Sequence, residues 1–184
     1  MIQNIYLKII CWLSLLIISQ VNAVTINFDG ELLDRPCQID SSSLEQTVIF
    51  LVRPVKDFQV FPGKGPMEKF QIKLINCDTN SIKKIVKLRF NGNTEPGMQD
   101  KSDYYLSVSG VNQGKLAIGL LDVDGKTPIK IGDFHNHMKG SVIENEKLVL
   151  DFKTFVQATN ESINSRSVRP GEYSAVVNFE LIYE

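Results

Sequence analysis

The stretch that decides the fold is the last one, GEYSAVVNFELIYE, at residues 171–184. Its apolar residues fall at alternate positions. Val177, Phe179, Leu181 and Tyr183 therefore share one face of an extended strand. We expect a single strand over residues 172–184. Chain ends fray unless something ties them down, and this one stays apolar to its penultimate residue, so its face must be covered. A central strand paired on both sides within its own domain meets that need. So does the edge of a groove that another chain fills.

Residues 24–37, VTINFDGELLDRPC, show a matching pattern. Val24, Ile26, Phe28, Gly30 and Leu32 lie on one face of an extended segment, and Thr25, Asn27, Asp29 and Glu31 on the other. Asp34-Arg35-Pro36 closes the segment, because proline cannot donate a ladder hydrogen bond. This is either the first strand of an ordinary sandwich or a strand offered to another molecule.

Ahead of it stands MIQNIYLKIICWLSLLIISQVNA, residues 1–23. Lys8 precedes a short apolar run, and Val21-Asn22-Ala23 supplies the small residues of a cleavage site. We read a secretory signal peptide; the competing reading is an uncleaved anchor. Cleavage after Ala23 removes Cys11 and Trp12 and leaves Cys37 and Cys77, 40 positions apart. In an oxidising compartment two cysteines are most simply a disulfide. Closing a loop of that size stabilises a fold by about 4 kcal/mol in the chain-entropy model.

Composition narrows the function. Lys and Arg total 20 against 21 Asp and Glu, a formal net charge of −1, which argues against a nucleic-acid partner. The body between the two ends reads as strands. Phe70, Ile72 and Leu74 alternate with polar or smaller neighbours, as do Val86, Leu88 and Phe90, Leu106 and Val108, and Leu148, Leu150 and Phe152. Residues 116–121, LAIGLL, read as a strand buried on both faces. Turn signals at Pro62-Gly63, Asn91-Gly92, Pro96-Gly97, Asp124-Gly125, Gly132-Asp133 and Pro170-Gly171 punctuate them. Several short strands in one domain-sized chain predict an all-β, immunoglobulin-like sandwich.

These residues together resemble a family. The run Phe28-x-Gly30-x-Leu32-Leu33-Asp34-Arg35-Pro36-Cys37 is joined by Asp57-Phe58, Leu74-x-Asn76-Cys77, Gly110-Val111-Asn112 and Leu121-Asp122. Val168-x-Pro170-Gly171-x-Tyr173 and Phe179-Glu180-Leu181-x-Tyr183 complete the set, with Gly171 fourteenth from the end. The sequence is similar to pilin subunits of the chaperone–usher pathway, and in residues 28–37 to their adaptor members.

The resemblance implies an incomplete immunoglobulin-like β-sandwich that lacks its final strand. It divides the chain into a signal peptide (1–23), a donor-strand extension (24–36) and a pilin domain (37–184). It implies a hydrophobic groove beside the C-terminal strand, involving Gly171, Val177, Phe179, Leu181, Tyr183 and Glu184. A periplasmic pilus chaperone fills that groove first. At the outer-membrane usher, the extension of a neighbouring pilin subunit replaces it by strand addition. Val24, Ile26, Phe28, Gly30 and Leu32 are then the donor residues. Gly30 fits where the acceptor wall comes close, and the carboxylate of Glu184 meets basic residues of the chaperone. The protein is expected to pass through the periplasm into an extracellular fimbrium, as an adaptor that links tip fibrillum to rod. A repeating shaft or tip pilin and a terminating subunit are the alternatives.

Other motifs carry less. His135-Asn136-His137 offers two histidines without a third ligand and reads as a polar loop. Asp122-Val123-Asp124-Gly125 lacks the remaining ligands of a calcium loop and reads as a hairpin turn. Asn160-Glu161-Ser162 is a formal glycosylation sequon. No nucleophile elbow, phosphate loop or zinc-protease signature is present, and we expect neither a cofactor nor an enzymatic activity.

Overall fold

The computed structural model describes residues 27–30 and 36–184. The chain forms two units, residues 1–33 and 34–184, and all the elements below belong to the second.

Ten strands follow in chain order: β1 (Gln38–Ile39), β2 (Glu68–Ile75), β3 (Ile85–Asn91), β4 (Tyr105–Ser107), β5 (Ser109–Gly110), β6 (Leu116–Leu121), β7 (Ser141–Val142), β8 (Leu148–Ala158), β9 (Tyr173–Ser174) and β10 (Asn178–Tyr183). One antiparallel sheet has the order β1-β2-β8-β6-β4, and a second has β10-β3-β7. A short ribbon pairs β5 with β9. Together the two sheets form an all-β, incomplete immunoglobulin-like sandwich.

The alternation in the sequence builds the core between the sheets. Ile72 and Leu74 of β2, Leu150 and Phe152 of β8 and Val86, Leu88 and Phe90 of β3 are all buried. Phe90 meets Phe152 edge-on, with ring centroids 5.1 Å apart, and Phe70 stacks on Phe152 at 5.5 Å. The first contact ties the two sheets together and the second lies within one sheet; each aromatic pair adds about 0.5–1.5 kcal/mol beyond area burial. All six residues of β6 are buried. Its outer face is covered partly by Phe155, which lies against Gly119 and packs edge-on against Tyr105 at 6.0 Å.

Cys37 and Cys77 are disulfide-bonded and buried, which fixes β1 to the end of β2. The turn after β6 is a hairpin turn. The Asp122 N–H donates to the Thr127 carbonyl, while Asp124 Oδ1 accepts from the N–H groups of Lys126 and Thr127. The Thr127 hydroxyl, which donates to Asp124 Oδ2, does most to favour the ionised Asp124, and with those N–H groups it holds the carboxyl down at about 2.

The single strand expected over residues 172–184 is divided. Tyr173–Ser174 pairs with β5, and Asn178–Tyr183 pairs with β3. The break falls where β3 ends. Asn178 lies opposite Asn91, the last residue of β3. Residues 175–177 therefore have no ladder to join and cross between partners.

Candidate functional site

The second sheet ends at β10. One edge of this strand pairs with β3 from Asn178↔Asn91 through Leu181↔Leu88 to Tyr183↔Val86. The order β10-β3-β7 places no described strand along its other edge. Val177, Phe179, Leu181 and Tyr183 are only half-buried, although they pack against the core. The strand thus combines an apolar face with an open row of main-chain donors and acceptors, a template for a further strand.

Polar contacts hold β10 onto β3. Arg89 pairs with Glu180 at 2.7 Å, and Lys87 with the Glu184 side chain at 2.6 Å. Both pairs are partly exposed, so each contributes about 0–1 kcal/mol. The Glu184 backbone exchanges hydrogen bonds with Ile85 at 2.9 Å in each direction. At the end of the strand the Tyr183 hydroxyl donates to the Cys37 carbonyl at 3.2 Å. The last strand is thereby joined to the disulfide at the start of the body.

Gly171 precedes this region with φ at +148°, where side chains are strained. A methyl group there would overlap the Cγ2 methyl of Val111. The buried Asn112 explains that approach. Its Nδ2 donates to the Arg169 carbonyl and its Oδ1 accepts from the Arg169 N–H, both at 2.9 Å. The Gly110-Val111-Asn112 and Pro170-Gly171 motifs therefore form one clasp, and that clasp delivers the chain onto β5 as β9.

A further stretch belongs to this region and was not singled out in the sequence. Residues 46–52 form no ladder, yet they read Gln-Thr-Val-Ile-Phe-Leu-Val. Ile49 is 80% exposed, Leu51 64% and Val52 99%. Phe50 packs on the core, with its ring 6.2 Å from that of Tyr173. The signal was the uninterrupted apolar run Val48–Val52, which has no alternation to mark it as a strand.

In the N-terminal unit, residues 27–30 have no regular secondary structure. Phe28 is 91% exposed, and nothing lies within 4 Å of where a Gly30 side chain would begin. The expected donor positions Val24, Ile26 and Leu32 lie outside the described residues.

The loop containing His135 departs from its reading as a polar turn. His135 is fully buried, because its ring bonds to β3 and Ser141 rather than to solvent, whereas His137 is exposed. No group of three or more metal-ligating side chains occurs among the described residues.

Comparison with known proteins places these features in context. The profile of a family described as fimbrial protein matches residues 26–184. Protein PrsK of Escherichia coli is 43% identical over 166 residues, covering 89% of this chain and 90% of its own. The fimbrial adapter PapK of Escherichia coli is 42% identical over 164 residues, with the same two shares. The crystal structure of the P pilus rod subunit PapA superposes with a TM-score of 0.65 at 22% identity, over 82% of this chain and all of that one.

Proposed function

Because the chain belongs to the fimbrial protein family, we propose that it is an adaptor pilin which accepts a strand along β10 and donates its own N-terminal segment to a neighbour. The open edge of β10 carries this reading. A strand laid there would gain main-chain hydrogen bonds from β10 and apolar contacts from Val177, Phe179, Leu181 and Tyr183. The exposed Ile49, Leu51 and Val52 supply further apolar surface on the run whose Phe50 meets Tyr173 of β9. Burying one such side chain fully is worth about 1.5–3 kcal/mol before ordering costs.

The same edge is an aggregation hazard while empty. A periplasmic chaperone is therefore the first occupant, and the extension of another pilin, delivered at an outer-membrane usher, is the second. The leader at residues 1–23 directs export, and the final location is the extracellular fimbrium. The adaptor role is favoured over a shaft or terminating role by the high identity to a fimbrial adapter. We assign the protein no catalytic step; its work is mechanical linkage.

The test is recovery of the tagged chain from the periplasm of cells that express a pilus chaperone and usher, with a photo-crosslinking residue at Leu181. The expected result is a one-to-one complex with a two-domain chaperone, crosslinked through β10. A folded monomer recovered alone, with no crosslink, overturns the reading.

A further inference from the structure

His135 lies along the edge of β3 opposite β10. Its Nδ1 accepts the N–H of Leu88 at 2.9 Å, and its own backbone N–H donates to the Leu88 carbonyl at 2.8 Å. Its Nε2 lies 2.9 Å from Ser141 Oγ of β7. A nitrogen that accepts a backbone N–H holds no proton, so this imidazole is neutral, with its one proton on Nε2.

The surrounding loop is shaped to place the ring. Asn136, His137 and Met138 all have positive φ, at 53°, 52° and 70°. The Asn136 N–H donates to Asp122 Oδ2 at 2.7 Å, and its side-chain amide donates to the Gly140 carbonyl at 2.6 Å. Three successive non-glycine residues in the left-handed region persist only where neighbours over-determine them.

Leu88 is also the partner of Leu181 in the β3–β10 ladder. Both main-chain groups of Leu88 are therefore taken by His135 on the edge of β3 away from β10, while the alternate residues Lys87 and Arg89 face the β10 ladder. Protonating Nδ1 would set N–H against N–H and leave the buried Leu88 amide without its acceptor. We propose that His135 is an acid-sensitive latch, which holds β3 in register beside β10 while neutral and releases it when protonated. The inference concerns the supported edge of β3 and holds whatever fills the edge of β10.

Burial sets the sign, and the nearest charge works against it. Burial lowers the proton affinity of His135, and Asp122, at the end of β6, partly opposes that shift. From β8 the ring meets Phe152 at 6.1 Å, and from β7 it meets Ser141, neither of them charged. Lys87 and Arg89 of β3 flank Leu88 in sequence and are engaged by Glu184 and Glu180. An unfolded histidine takes its proton near 6.5, the folded one only at lower pH. Stability is therefore complete above about pH 6.5 and falls as pH drops toward the folded value, by up to tenfold in the unfolding equilibrium per pH unit.

The experiment is urea unfolding of the oxidised mature chain at pH 7.5 and 5.0, with the edge of β10 filled by a saturating, histidine-free strand peptide of the sequence 24–36. The parent should show an unfolding constant about tenfold or more larger at pH 5.0. His135→Asn, whose carbonyl can take the place of Nδ1, should change less than about twofold over the same range. His137→Asn should follow the parent. Should His135→Asn fail to fold, nitrogen NMR of the histidine-labelled parent decides. Nδ1 should stay unprotonated and the Leu88 amide protected well below pH 6.5. A parent with no pH dependence, a His135→Asn chain with undiminished dependence, or a His135 ring that titrates at its ordinary value overturns the proposal.

Discussion

Gly171→Ala is the most informative single substitution in the body. Two effects add. At φ +148° an alanine occupies backbone territory that is close to exclusive to glycine, at about 1–3 kcal/mol. The new methyl also overlaps Val111 Cγ2, and overpacking of that kind costs about 1–3 kcal/mol where the neighbour cannot yield. Val111 is 55% exposed and can rotate partly away, so the overlap falls at the low end and the total is about 2–4 kcal/mol. The two effects separate in a Val111→Ala background. There the nearest remaining atom, the Cβ of residue 111, stands at an ordinary 3.6 Å. Urea unfolding of the four chains of the cycle, each with a saturating strand peptide along β10 and followed by circular dichroism, reads the coupling. The Gly171→Ala penalty should shrink in the Val111→Ala background but not vanish, because backbone strain remains. A penalty below about 0.5 kcal/mol in both backgrounds would refute the need for glycine, and complete rescue would refute the strain component.

Three further outcomes are expected. Gly30→Trp should abolish incorporation of neighbours into pili, scored by subunit composition of purified fimbriae, while leaving the urea midpoint of the body unchanged; normal pili would remove the donor role. Leu181→Arg, which puts a charge on the half-buried face of β10, should lower periplasmic yield severalfold by abolishing chaperone capture, read by quantitative immunoblot. Replacing both Cys37 and Cys77 by serine should lower stability by about 4 kcal/mol, and equal protease resistance of the oxidised and serine forms would contradict that.

The strands that could be read from sequence are those with one buried face. Phe70-Ile72-Leu74, Val86-Leu88-Phe90 and Leu150-Phe152 alternate because one side of each meets the opposite sheet, so period and burial coincide. The uniform run 116–121 was legible for the complementary reason, burial on both faces. The division of the C-terminal strand was not legible. It depends on where β3 stops, at Asn91, and not on any residue in 175–177. Nor was the burial of His135. Its neighbours, Phe134 and Asn136, set no period, and what draws it inward is the Leu88 amide, 47 positions earlier. The run 48–52 escaped because an apolar segment with no ladder shows no period. Of the candidate site, β10 follows from its own alternation, whereas the clasp between Asn112 and Arg169 needed the fold to bring two distant motifs together.

The bond between Cys37 and Cys77 has a mechanical consequence. If residues 24–36 are anchored in another subunit, a pull along a fibre enters this body at Cys37. The ladder that begins there, β1, is only two residues long. Hydrogen bonds alone would peel apart one at a time under such a load. The sulfur bridge passes the load directly to the end of β2, which pairs with β8 along seven positions, Glu68↔Thr154 through Leu74↔Leu148. Tension is thereby shared across the sheet in shear, and the weakest seam of the body is spared.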